Sequence, residues 1–167
     1  LWEWSRSGPA LYDLDGDGAK DIIFATKFDD TGTRRLMALK YDGTNVANFP
    51  YYLNGGVTVD PCVGDLDNDG LVEIVVFDNQ RYLYAVSQDG TSYPGFPVYL
   101  GYDASHDYVS SPGLGDLDGD GDVDLFVAGR LVPGLFPDAP SSRLYRNDGG
   151  RFVDATLELA PTLTTAG

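Results

Sequence analysis

One cysteine and one histidine stand among 167 residues, and each scarcity removes a class of chemistry. With Cys62 alone, neither an internal disulfide framework nor a cysteine-built zinc site can form. With His106 alone, a multi-histidine metal centre is excluded. Positive charge is scarce as well, since 11 basic residues face 26 acidic ones for a net charge of -15. A surface of that sign repels nucleic-acid backbones and anionic membranes, so no nucleic acid is expected as a partner. No apolar run reaches the roughly 18 residues that a spanning helix needs, and no membrane insertion is expected. No secretory leader is visible. The first residue is Leu1 rather than an initiator methionine, so the chain reads as part of a longer protein. Hydrophobic residues make up 43%, enough for a packed core in one domain of ordinary size.

What is there is repetition. Asp13-Leu14-Asp15-Gly16-Asp17-Gly18 recurs 52 residues later as Asp65-Leu66-Asp67-Asn68-Asp69-Gly70. It returns after another 51 as Asp116-Leu117-Asp118-Gly119-Asp120-Gly121. A proline-containing approach precedes each copy: Gly8-Pro9, Asp60-Pro61 and Ser111-Pro112. A strand-length apolar run follows each: Ile22 to Ala25, Ile74 to Phe77 and Leu125 to Ala128. A third shared segment is Leu36 to Leu39, Leu83 to Val86 and Leu144 to Asn147. Each is followed by an Asp-Gly pair, a strong hairpin signal, at 42–43, 89–90 and 148–149. A last extended piece begins at Phe49, Phe96 or Phe152. No helical periodicity is evident.

Four short strands repeated every ~40–50 residues predict an all-β fold of propeller blades, each a sheet of four antiparallel strands. One such sheet cannot bury both faces alone, and closed propellers need about four to eight blades. The chain therefore reads as about three blades of a larger propeller. Residues 1–4 are assigned to the end of a preceding blade, 5–54, 55–101 and 102–156 to three repeats, and 157–167 to a following blade or a linker.

Each acidic loop fits the pattern D-x-D-x-D-G-x-x-[DE]. The expected ligands are Asp13, Asp15, Asp17 and Asp21; Asp65, Asp67, Asp69 and Glu73; and Asp116, Asp118, Asp120 and Asp124. Four carboxylates within nine residues repel one another unless a cation lies between them. The glycine at position six permits the left-handed bend that turns alternate carboxylates inward. A main-chain oxygen at position seven, from Ala19, Leu71 or Asp122, could complete the shell. Oxygen ligands without nitrogen or sulfur favour Ca²⁺, about one per loop and three in all. The EF-hand, which needs glutamate at position twelve, is excluded because Phe24, Val76 and Val127 stand there. Glu73 is one methylene longer than its counterparts and is expected to bind nonetheless. Setting the twelve side-chain ligands aside leaves 14 acidic residues against 11 basic ones, so most of the acidity has this local explanation.

On these residues the sequence resembles the FG-GAP/VCBS repeat family, which includes the calcium-binding blades of integrin α-subunit propellers. The third unit, from Leu144 to Phe152, looks especially like the VCBS type of secreted bacterial proteins. The resemblance implies that each acidic loop joins the first two strands of a blade and that calcium braces them. It implies the same ligand set, with Ala19, Leu71 and Asp122 giving main-chain oxygen.

The expected function is a calcium-stabilised extracellular module for binding, adhesion or surface assembly, secreted, periplasmic or displayed on a cell surface. No nucleophile or base stands near the loops, so catalysis is not expected. His106 beside Asp107 reads as a solvated loop histidine. The alternative is the propeller portion of a secreted enzyme such as a polysaccharide lyase or phospholipase. A protein or carbohydrate partner is expected on the face opposite the loops, where the segments 102–108 and 129–142 would lie. Further blades, from the same parent chain or from other chains, are the remaining expected partners.

Overall fold

In the computed structural model, residues 3–29, 32–100, 110–129 and 142–164 are described. The segments 102–108 and 130–141, on which the partner-binding expectation rests, lie outside them, as do His106, Leu135 and Phe136. Among the described residues, the structure is all-β except for two short turns of helix. The first strand, β1 (Glu3–Trp4), is followed by β2 (Ala10–Tyr12), β3 (Asp21–Ala25), β4 (Phe28–Asp29), β5 (Arg35–Leu39) and β6 (Tyr51–Tyr52). The second repeat contributes β7 (Cys62–Gly64), β8 (Glu73–Phe77), β9 (Tyr82–Ser87) and β10 (Val98–Tyr99). The third contributes β11 (Gly113–Gly115), β12 (Asp124–Val127), β13 (Arg143–Asn147) and β14 (Phe152–Asp154). Three four-stranded antiparallel meanders result, β2-β3-β5-β6, β7-β8-β9-β10 and β11-β12-β13-β14. These are propeller-like blades.

The first strands β2, β7 and β11 are neighbours, so the blades fan out from a common inner edge. They approach closely. A Cβ placed on Gly64 would meet Leu114 Cδ1 at 2.9 Å, so a larger residue there would push the Leu114 side chain aside. The residues before the three prolines link the inner ends in sequence. Gly8 N–H donates to the Asp60 carboxylate, and Asp60 N–H donates to Ser111 Oγ at 2.9 Å. Apolar residues of the second strands form the layers between blades, with Ile23, Ile74, Val75, Val76 and Leu125 all buried in one cluster. That burial is what a single blade cannot supply alone.

Both outer faces of the stack differ from the inner ones. Leu114 and Leu125 share one face of the third sheet, and Leu114 points at the second blade. The matching face of the first sheet carries Leu11 and Ile22, cross-strand partners that are both exposed. Ile22 is 39% exposed where its counterparts Ile74 and Leu125 are at 0%. At the other end, Leu117 is 51% exposed whereas Leu14 and Leu66, at the same loop position, are buried.

Three details depart from the strand-by-strand expectation. Glu3–Trp4, read as the end of a preceding blade, pairs with Phe28–Asp29 of the first unit's own connection. Residues after Asp154 form a four-residue helix, α1 (Thr156–Leu159), and a 3-10 turn over Pro161–Thr164. Four residues are too few to leave a periodic trace in sequence. Finally, the third central strand is shifted by two residues from its assumed alignment. Ile22 pairs with Leu39 and Ile74 with Val86, but Leu125 pairs with Tyr145, so Tyr145 rather than Asn147 is their counterpart. The Asp-Gly turns agree, since each begins three residues after that strand position. Among the described residues, no helix is long and apolar enough to cross a membrane.

Candidate metal sites

Each acidic loop joins the first two strands of its blade, at the end where the Asp-Gly turns of the third connection also return. Position one is fixed by position six in all three loops. Gly18 N–H donates to Asp13 Oδ2 and Gly70 N–H to Asp65 Oδ2, each at 2.9 Å, and Gly121 N–H donates to Asp116 Oδ2 at 3.2 Å. These glycines have φ of 89°, 89° and 97°, the left-handed conformation in which a side chain would be strained. Position five is held from position seven. Ala19, Leu71 and Asp122 donate their N–H groups to Asp17, Asp69 and Asp120 at 2.7–2.9 Å.

Position nine opens the second strand, which carries its carboxylate inward. Asp21, Glu73 and Asp124 are all buried, and each accepts the N–H of position two: Leu14 at 2.9 Å, Leu66 at 3.1 Å and Leu117 at 2.8 Å. The longer Glu73 side chain thus makes the same bond as the two aspartates. Burial raises the carboxyl pKa of Asp21 and Glu73, and neighbouring loop carboxylates add to the rise. Desolvation raises that of Asp118 as well.

Three carboxylates converge in each loop, with one oxygen from each lying within 4.8 Å of the others. The triads are Asp13, Asp15 and Asp17; Asp65, Asp67 and Glu73; and Asp116, Asp118 and Asp124. The expected ligands Asp21, Asp69 and Asp120 stand outside these triads, holding backbone N–H groups. Asp13 Oδ1 is buried and has no hydrogen-bond partner. A buried, unpaired carboxylate oxygen is costly without a cation or donor. The donor set is hard oxygen throughout, so the residues fit a calcium-type ion.

Sequence reasoning missed the side chains that tie loops together. Asn147, fully buried on β13, donates its N–H to Asp124 Oδ1 at 2.9 Å. Its Nδ2 donates across the blade interface to Leu66 O at 2.7 Å, beside the Glu73 site. Asn68 Nδ2 donates to Gly121 O at 2.5 Å, a second bridge between loops two and three. Tyr93 OH donates to Asp67 Oδ2 at 3.0 Å, and burial pushes its pKa up to about 12. Lys40 was missed too: its Nζ pairs with Asp15 Oδ2 and lies 3.7 Å from Asp17 Oδ2. That contact holds the Asp15 carboxyl below its usual value and raises the Lys40 ammonium.

The model of the FG-GAP-like repeat family matches residues 13–76 and again residues 65–127, each match spanning two acidic loops. No curated protein matches the chain.

Proposed function

Since the chain belongs to the FG-GAP-like repeat family, we propose that it is a calcium-stabilised, extracellular β-propeller module that serves binding, adhesion or surface assembly. The observation that carries this reading is the threefold convergence of carboxylates, with Asp13 Oδ1 left buried and unpaired. On this reading Ca²⁺ is structural. Asp13, Asp15 and Asp17, with their counterparts in loops two and three, would hold it together with position nine and the main-chain oxygens of Ala19, Leu71 and Asp122. When bound, the ion supplies charge neutralisation and braces the hairpin between the first two strands. Extracellular modules of this kind bind with a Kd of about 10⁻⁴–10⁻³ M, which suits a compartment rich in calcium.

The repeats 5–54, 55–101 and 102–156 are taken as blades. The exposed faces at Leu11 and Ile22, and at Leu117, support stacking of further blades on both sides. A protein or carbohydrate ligand is assigned to the face opposite the loops, because the β3–β5 and β8–β9 connections emerge there. The reading is tested by titrating immobilised protein with candidate glycans and surface proteins, with and without calcium. Saturable, calcium-dependent binding without turnover is expected. Cleavage of a polysaccharide or phospholipid would instead favour a secreted enzyme's propeller.

A further inference from the structure

The three loops differ in one respect that their shared motif conceals. Strand register makes Lys40, Ser87 and Arg146 equivalent, each one residue beyond the Leu39, Val86 and Tyr145 positions. In loop one this residue reaches back to the site, where the Lys40 ammonium contacts Asp15 and lies 3.7 Å from Asp17. Both carboxylates belong to the converging triad of that loop. In blade two the equivalent Ser87 carries no charge. In blade three Arg146 pairs with Asp148, Nε 2.9 Å from its Oδ1, and with Glu158, a terminal nitrogen 3.3 Å from Oε1, so its charge acts on Asp118 of the triad through space but makes no ion pair there.

We propose that Lys40 is a tethered competitor for the cation of loop one, making that loop the weakest of the three for calcium and the least dependent on it for folding. This inference rests on the calcium reading of the loops. An entering Ca²⁺ must either displace the ammonium or share Asp15 and Asp17 with it. In both cases a positive charge a few ångströms away opposes binding, an effect worth at least about tenfold in affinity at such range. Without calcium, the same ammonium offsets the repulsion among Asp13, Asp15 and Asp17, an offset that loop two does not receive from Ser87. The competing possibility is an ordinary exposed ion pair that contributes almost nothing.

The amides of Gly18, Gly70 and Gly121 report each loop separately, because each donates to the position-one carboxylate of its own site. Calcium titration followed by amide NMR of the full chain is expected to move Gly18 last. Lys40→Ser should shift the Gly18 midpoint to at least about tenfold lower calcium while leaving Gly70 and Gly121 within about twofold. Lys40→Arg should keep loop one weak, and Lys40→Met should behave as Lys40→Ser if charge rather than packing is responsible. An unchanged Gly18 midpoint in both neutral variants, or a wild-type Gly18 that moves first, overturns the inference alone. If none of the three glycines responds to calcium, the metal reading falls and this inference with it.

Discussion

Chelation of calcium should lower the melting temperature of the protein by about 10 °C. A ligand that binds only the folded state stabilises it by RT ln(1 + [L]/Kd), about 1.4 kcal/mol per site at millimolar calcium and a Kd near 0.1 mM. Three such sites give about 4 kcal/mol, and in a domain of this size each kcal/mol moves the midpoint by about 2–4 °C. Loop one should contribute less than the other two, because Lys40 already supplies part of the cation's role there. The buried carboxylates set the direction. Asp21 and Glu73 have raised pKa values when no ion is present, so their ionised forms destabilise the metal-free fold at neutral pH. Differential scanning calorimetry with and without chelator measures the shift. A change below about 2 °C would mean that the loops are ordinary turns.

Ile74→Ala should cost about 3 kcal/mol, whereas Ile22→Ala, at the same position one blade earlier, should cost less than about 1 kcal/mol. Ile74 is fully buried between sheets, so its truncation removes transfer energy and leaves a cavity. Ile22 faces solvent at 39% exposure, and its cavity term vanishes. Intrinsic strand preference is the same for both changes, so the difference isolates burial between blades. Urea unfolding of the two variants measures it. Equal costs would contradict the stacking order, and a large cost at Ile22 in a longer chain would show that another blade covers that face.

The repeat made most of the fold legible. Spacing alone located the three loops, the strands that follow them and the outer strands. The local hydrogen bonds of the loops involve residues at most seven apart, which is why sequence spacing exposes them. The rest depends on register and on neighbours. Aligning the third central strand by Leu144 placed Asn147 opposite Leu39 and Val86, although the spacing to Asp148-Gly149 already favoured Tyr145. The two-residue shift separates Arg146 from Lys40 in the repeat alignment, whereas the difference in charge between loops one and two, Lys40 against Ser87, lies in strands that sequence and structure align alike. Asn147 was invisible for a different reason, since its contact with Leu66 O joins residues 81 apart. The unequal burial of Ile22 and Ile74 was beyond any single-repeat argument, because it depends on which sheets have a neighbour.

Counting the calcium bound per chain tests the central claim most directly. Equilibrium dialysis of the intact protein at millimolar calcium, followed by elemental analysis, should find about three ions. Asp65→Ala and Asp116→Ala should each remove one, since each takes a carboxylate from a single triad. A protein that binds no calcium, or variants that leave the count unchanged, would contradict the account.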